Sequence, residues 1–142
     1  MTILWLDIGL ARADEVAQLA SYDQHLPADL LAAKIAQGHI LVARLDGSTG
    51  PIVGMLRYNY FWDTIPFMNM LMVRSDLRGQ GIGTHLVAAW ETSMRAAGAT
   101  WVLTSTLANE RGQFLYRKLG YHDCGGLLLP NEPLEILLRK VL

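Results

Sequence analysis

The most regular hydrophobic pattern of the chain lies at its centre. Apolar residues recur there at intervals of three or four, which is the spacing of one face of an α-helix: Ile82, Leu86, Trp90, Met94 and Ala97. Gly98 follows them and predicts the end of the helix. The run before them, residues 67–73, is almost continuously apolar and predicts a buried strand. We therefore predict a buried strand followed by an amphipathic helix.

The other segments show extended and helical patterns in turn. The patterns predict strands at residues 3–8, 39–45, 52–62, 100–106, 127–129 and 134–141, and helices at 13–22, 27–38 and 110–119. Pro66 is expected to break the chain before the central strand. The order β-α-α-β-β-β-α-β-α-β-β predicts an α/β (α+β) fold in one domain over residues 1–142. Its central sheet is expected to mix antiparallel and parallel strands, with helices on both faces.

Composition removes several classes of function. The 142 residues are 51% hydrophobic, and 12 basic residues against 13 acidic ones give a net charge of -1. A nucleic-acid-binding protein would show a basic excess, so we predict no nucleic-acid partner. No apolar stretch approaches the ~18 residues of a membrane span, and no secretion signal is visible, so we expect a cytoplasmic protein without a membrane partner. One cysteine, Cys124, and four histidines without metal-binding spacing predict no metal site.

Three glycines fall within five residues between the central strand and its helix: Gly79, Gly81 and Gly83. A helix N-terminus offers unpaired N–H groups and a partial positive charge, and glycines let the backbone approach an anion. Arg78 adds a forked donor at the edge of this loop. The segment therefore predicts a phosphate-binding loop. It lacks the Gly-Lys pair of a P-loop and the third glycine of a dinucleotide-binding fingerprint.

Two segments together resemble one family. Residues 78–83, Arg-Gly-Gln-Gly-Ile-Gly, fit the pattern Arg/Gln-x-x-Gly-x-Gly, which resembles the acetyl-CoA pyrophosphate loop of the GCN5-related N-acetyltransferases (GNAT). Residues 109–121 are similar to the family signature Asn…Phe-x-Tyr-x-Lys-x-Gly-Phe/Tyr, and they come one strand later, where the family places it. The resemblance implies a GNAT domain over residues 1–142. It also implies an enzyme that transfers an acetyl group from acetyl-CoA to a primary amine by direct attack, without a metal.

The resemblance also implies roles for particular residues. Backbone groups of Leu71, Met72 and Val73 would pair with the pantetheine arm of the cofactor, and an N–H there could donate to the oxyanion. Arg78 and the following N–H groups would hold the pyrophosphate: Gly79, Gln80, Gly81, Ile82, Gly83 and Thr84. Tyr116 would protonate the CoA thiolate as general acid. Asn109 would bond to the cofactor arm and fix the start of the next helix.

The general base is missing from both positions that the family uses. One branch has a glutamate on the fourth strand, where residues 67–73 contain no carboxylate, and another has one at the position of Thr104. An ammonium substrate must lose a proton before it attacks. The base is left unassigned among these residues: Asn69 holding a water, Asp63, Glu110, Tyr58 and Tyr60.

The acceptor region admits two interpretations. Residues 57–63 alternate, which would put Tyr58, Tyr60 and Trp62 on one strand face, where they could line an acceptor cleft with Asp63 and Asn69. Alternatively, this is a half-buried strand packed on the first two helices. The missing base also leaves open a non-catalytic acyl-CoA-binding sensor or partner module, although Tyr116 argues for the enzyme. Residues 132–135 could belong to the acceptor side or to a homodimer contact, and Cys124 as an acyl carrier would require a ping-pong scheme unlike the family's.

Overall fold

The computed structural model describes residues 5–142. They form seven strands, β1 (Leu6–Leu10), β2 (Ile40–Leu45), β3 (Ile52–Phe61), β4 (Ile65–Val73), β5 (Trp101–Leu107), β6 (His122–Leu127) and β7 (Glu135–Val141). The four α-helices of this part are α1 (Val16–Tyr22), α2 (Ala28–Ala36), α3 (Ile82–Ala96) and α4 (Gly112–Lys118). The strands follow the order β1-β2-β3-β4-β5-β7-β6 in one sheet. The predicted element order and mixed sheet are confirmed, since β4 pairs parallel with β5 and the pairs β1–β2, β2–β3, β5–β7 and β6–β7 are antiparallel.

The chain divides into two compact units, of which the first comprises Met1–Tyr58 and Met70–Thr92. Its core joins α1 and α2 to β2 and β3 through buried side chains, namely Leu19, Leu31, Ile35, Ile40, Val42, Ile52 and Met55, and Met72 of β4 packs against them. The stripe predicted for α3 is buried at Ile82, Leu86 and Trp90. Gly54 of β3 allows close packing, because a Cβ there would lie 3.0 Å from Leu86 Cδ1.

Two arginines of this first unit are buried, and each is paired with a carboxylate. Arg44 of β2 donates to both carboxylate oxygens of Glu15, at 2.7 and 2.9 Å. Arg57 of β3 donates through Nε to Asp23 Oδ2 at 2.6 Å. Burial by itself would raise the pKa of Glu15, but hydrogen bonds and charge from Arg44 and Arg12 outweigh it and hold that pKa below 4.5. A buried charge is tolerated in this way only when it is paired.

The second unit comprises Asn59–Asn69 and Ser93–Leu142. Strand β7 is central to its sheet, because it pairs along its whole length with β5, from Trp101↔Val141 to Leu107↔Glu135, and with β6 on its other side. The apolar residues buried in this unit are Met68, Met94, Val102, Leu103, Tyr116, Tyr121, Ile136 and Leu138. Within the described residues, no helix is both long and apolar enough to cross a membrane.

Several predicted boundaries are wrong for identifiable reasons. Pro66 does not break the chain but is the second residue of β4, a position near a strand start where the missing N–H is tolerated. Strand β6 begins at His122 rather than at Leu127, and all of its residues are exposed, so pairing with β7 defines it rather than an apolar pattern. Residues 3 and 4 of the first predicted strand lie outside the described residues.

Candidate functional site

The glycine-rich segment connects β4 to α3 with the predicted strand–loop–helix geometry. A short 3-10 turn, Ser75–Leu77, follows β4, and Leu77 anchors it with 5% exposure. Gly79 has φ +79° and Gly81 has φ +88°, in the left-handed region that costs other residues ~1–2 kcal/mol. Gly83 is already part of the first turn of α3. Two of the three glycines are therefore needed for backbone conformation, while the third lies at the helix start.

The polar groups of this loop suit an anionic group with hydroxyl or amide donors beside it. Helix geometry leaves the first N–H groups of α3 without intrahelical acceptors, and its first turn carries no acidic residue. The Gln80 side-chain oxygen Oε1 is buried without a hydrogen-bond partner among residues 5–142. A buried acceptor of this kind costs free energy unless a donor reaches it. The loop therefore offers donor groups at the start of α3 and one buried acceptor, Gln80 Oε1, for contacts with a ligand.

Arg78 lies at the edge of the loop, as predicted, and folds back along the end of β4. Its Nε donates to the Val73 carbonyl oxygen at 3.1 Å, and its Nη2 lies 3.7 Å from Met72 Sδ. The side chain is exposed, so it can leave this position for an anion at little cost. Arg74, in contrast, is held by Asp76 at 2.7 Å. Arg78 thus covers one of the three backbone positions, Leu71 to Val73, that were predicted for the pantetheine arm.

Tyr116 is the buried polar centre of the second unit. It projects from α4 with 8% exposure, and its ring lies 6.0 Å from that of Tyr121. A hydrogen bond joins its hydroxyl to Thr104 of β5, whose Oγ1 donates to the Met68 carbonyl oxygen of β4 at 3.0 Å. The predicted acid is thus oriented by a connected set of hydrogen bonds.

The surroundings of Tyr116 keep its phenol protonated. Burial raises its pKa from 10.0 to about 12; the hydrogen bond with Thr104 acts in the opposite direction, and the charge of Glu110 adds to the increase. At neutral pH the phenol therefore carries its proton and can only donate it.

Two contributors in this region were not predicted. Thr104 was noted only because it stands where a base would be, and nothing distinguishes it in the sequence from the other hydroxyl residues of β5. Gln113 donates to the carbonyl oxygens of Ala108 and Glu110, both at 2.8 Å, and so orders the turn before α4. The roles of Thr104 and Gln113 both depend on side-chain orientation in the folded chain, which the sequence pattern does not show.

Asn109 lies in that turn and is exposed. The prediction that it fixes the start of the following helix is wrong, because α4 begins at Gly112 and Arg111 holds the N-cap position. Its side chain is thereby left for other contacts. A role in binding the cofactor arm stays a prediction.

The predicted acceptor residues do not form one strand face. Tyr58 is buried against Trp90 of α3 and His39, with ring centroids 5.8 and 5.0 Å away, so its ring packs in the core but not on the two helices that the packing alternative named. Trp62 was expected on the same face, and this is wrong. Strand β3 ends at Phe61, and Trp62 has φ +52° and 75% exposure. It forms the β3–β4 turn with Asp63, which has φ +65°.

Tyr60 and Asn69 are the predicted acceptor residues of the second unit that lie on strands. The Tyr60 ring lines a pocket of about 160 Å³, together with Thr64, Pro66, Met94, Ala97, Gly98 and Ala99. Asn69 is exposed, and its side-chain nitrogen donates to Asn59 Oδ1 at 2.6 Å. Neither Tyr60 nor Asn69 carries a carboxylate that could act as the base. Among the described residues, no group of three or more histidine, cysteine, aspartate or glutamate side chains could hold a metal.

The sequence model of the acetyltransferase (GNAT) family matches residues 9–121 and so includes both predicted motifs. The chain belongs to the GNAT family of acetyltransferases. As a GNAT protein it is an acyltransferase. No curated protein sequence matches it significantly.

Solved structures agree with this GNAT fold. Ard1 from Thermoplasma volcanium superimposes with a TM-score of 0.83 at 14% identity, over 96% of this chain and 97% of that one. An IAA acetyltransferase from Bacillus cereus gives 0.76 at 17%, over 97% and 100%. N-acetylglutamate synthase from Neisseria gonorrhoeae, solved with coenzyme A and N-acetyl-glutamate, gives 0.81 at 14%, over 96% of this chain and 35% of that one. At such identities the likeness concerns the fold alone.

Proposed function

We propose that this GNAT protein transfers the acetyl group of acetyl-CoA to a primary amine of a small molecule or peptide in the cytoplasm. The observation that carries the proposal is the buried, protonated Tyr116, because a module that only binds acyl-CoA has no thiolate to protonate. The left-handed glycines of the β4–α3 loop support a CoA donor. Two structures of similar fold, the N-acetylglutamate synthase and a NatC complex bound to Gag peptide and CoA, contain that ligand.

In the proposed reaction each residue has one task. The N–H groups at the start of α3 and the guanidinium of Arg78 hold the pyrophosphate. The backbone of Leu71 to Val73 binds the pantetheine arm, and an N–H there stabilises the oxyanion when the amine attacks the thioester carbonyl. As the C–S bond breaks, the Tyr116 hydroxyl gives its proton to the sulfur, and the phenolate regains one from the newly bonded nitrogen.

Direct attack is favoured over a covalent acyl-enzyme. The only cysteine, Cys124, would have to be the nucleophile of a ping-pong scheme, and the thiolate is the reactive form of cysteine. Although Cys124 is exposed on β6, partial loss of hydration at the thiol raises its pKa, with a smaller opposing effect from Arg139, so the thiol is not activated. The amine therefore attacks acetyl-CoA itself.

The proposal is tested in two steps. CoA and acetyl-CoA should stabilise the protein in a thermal-shift or calorimetric titration, and no effect at millimolar concentration would remove the cofactor. Release of free CoA thiol is then followed over a panel of polyamines, aminoglycosides, amino acids and N-terminal peptides. Release at the hydrolysis rate with every amine, together with CoA binding, would favour the sensor instead.

The role of Tyr116 is tested in the same assay. Replacing it with phenylalanine should reduce turnover by ~100-fold or more while CoA binding remains, because general acids contribute of that order. The matched control is Tyr121→Phe, since Tyr121 is buried 6.0 Å away and the family motif accepts either residue there. Equal turnover in the two variants would remove Tyr116 from the mechanism.

A further inference from the structure

Two asparagine side chains of the second unit are bonded to each other at the protein surface. Asn69 of β4 donates through Nδ2 to Oδ1 of Asn59, on β3, at 2.6 Å. Among residues 5–142 the structure shows no other hydrogen bond to either side chain, so Asn69 Oδ1 and Asn59 Nδ2 remain for a ligand. A bond in the reverse direction would leave the same two kinds of group. The pair therefore presents a hydrogen-bond acceptor next to a donor.

The asparagine pair continues an aromatic strip on one face of the sheet. Side chains two residues apart on a strand share a face, so Phe61 lies on the face of Asn59. In the same way Phe67 lies on the face of Asn69, and the two phenylalanine rings are 6.2 Å apart. None of these four side chains is charged. The strip therefore suits an apolar group beside the amides and has no carboxylate of its own for a second ammonium group.

The pair also adjoins the residues that orient the proposed acid. Within the second unit, β4 pairs with β5 at Met68↔Thr104, and the Met68 carbonyl oxygen accepts from Thr104 Oγ1 at 3.0 Å. That carbonyl belongs to the peptide bond with Asn69, and Thr104 is bonded to the Tyr116 hydroxyl. Consecutive strand residues face opposite sides of a sheet, so the amides and the phenol serve its two faces at neighbouring residues of β4. An attacking amine and a leaving thiolate also lie on different sides of the carbon between them.

We propose that the Asn59–Asn69 pair binds the acceptor and selects an amine with a carbonyl group on the neighbouring carbon, as in an amino-acid derivative or a peptide N-terminus; this rests on the proposed function. Asn69 Oδ1 accepts one N–H of the amine, and Asn59 Nδ2 donates to the carbonyl oxygen. A carboxamide does not take up the proton, so the neutral amine binds and keeps its lone pair for the thioester carbon. Polyamines and aminoglycosides have no carbonyl beside the amine and lack the second contact.

A matched pair of amines tests this selection. Leucinamide and 3-methylbutylamine differ by the carboxamide group that the asparagines are proposed to recognise. Release of CoA thiol is measured for both, and kcat/KM is calculated on the free amine, because the carbonyl also lowers the pKa of the amine itself. Leucinamide should be preferred by ~10-fold, the size expected of one hydrogen bond. A preference below about threefold overturns the proposal.

Asn59→Asp tests the residues. The variant replaces the donor with a carboxylate oxygen and keeps an oxygen that can accept from Asn69. It should lower kcat/KM for leucinamide by ~10-fold and leave that for 3-methylbutylamine within about threefold, whereas a merely structural role would affect both amines alike. The matched control is Asn131→Asp, which adds the same charge at an exposed residue of the same unit, where aspartate tolerates the φ of +57°. Equal losses with both amines in Asn59→Asp, or the same selective loss in Asn131→Asp, overturn the proposal.

Failure of the proposed function gives a different result. A wild type that binds CoA but acetylates neither these two amines nor any amine of the wider panel overturns the proposed function, and this inference with it. A wild type that acetylates polyamines or aminoglycosides but rejects leucinamide overturns the inference alone.

Discussion

Tyr116 is expected to ionise at a higher pH than an ordinary tyrosine, with its pKa raised from 10.0 to about 12. The cause is loss of hydration, since the buried phenolate cannot be solvated as it is in the unfolded chain. The rise from 10.0 to about 12 corresponds to ~3 kcal/mol between the two protonation states. The native state therefore keeps a proton that the unfolded chain loses first. The associated stability is fully present below pH 10.0 and is lost as pH rises towards about 12.

Difference titration of the wild type against Tyr116→Phe measures this ionisation directly. Phenolate absorbance in the near ultraviolet is followed with rising pH, and circular dichroism at each point shows whether the chain is still folded. The difference curve isolates Tyr116 from the other four of the five tyrosines. The difference absorbance should stay flat through pH 10.0 and rise with a midpoint of about 12, or it should rise together with unfolding if the chain unfolds at a lower pH.

A difference curve with its midpoint near pH 10.0 in folded protein would contradict the burial of Tyr116, because the phenol would then be hydrated. Thr104→Val and Thr106→Val refine the result, since both residues are buried on β5 but only Thr104 is bonded to Tyr116. Turnover should fall in Thr104→Val and stay near wild type in Thr106→Val. An equal loss in both would mean that β5 packing, rather than orientation of the phenol, is responsible.

Two further predictions concern the backbone and the buried charges. Gly81→Ala should weaken CoA binding by ~10-fold, because the free loop of the variant relaxes away from φ +88° and binding must restore that conformation at a cost of ~1–2 kcal/mol. The control is Gly38→Ala, at φ +74° after α2, which should lower stability without changing the CoA dissociation constant measured by calorimetry. Glu15→Gln should cost ~1.5–3 kcal/mol in urea unfolding at neutral pH, because buried Arg44 loses its charged hydrogen bonds to Glu15 and keeps only Asp7, at 3.3 Å, as a charged partner. Since the pKa of Glu15 is lowered on folding, the difference should shrink as pH falls below 4.5; a constant difference would contradict the ion-pair explanation.

The elements predicted best from sequence are those whose burial has a regular period. Helix α3 was recognised because a buried side chain recurs every turn along one face, and this face packs as expected. Strand β6 was placed wrongly because no side chain on it is buried, so hydrogen bonds to β7 define it and leave no apolar pattern. The prediction that Trp62 continues the alternating face of β3 was wrong for a related reason. Trp62 has a left-handed backbone and lies just beyond the end of β3, and an alternating pattern of residue types carries no information about φ.

The candidate site shows the same division between backbone and side chain. The β4–α3 loop was predictable because a left-handed backbone favours glycine, so its conformation is reflected in the residue type at Gly79 and Gly81. The phenol proposed to donate a proton is oriented by residues distant in sequence, since its hydrogen-bond partner Thr104 is itself bonded to Met68. No spacing rule connects residues that are 36 apart in the sequence. The acetyl donor is therefore proposed from motif and backbone, whereas the orientation of Tyr116 depends on side chains that only the folded chain brings together, and the Thr104→Val variant tests that part of the mechanism.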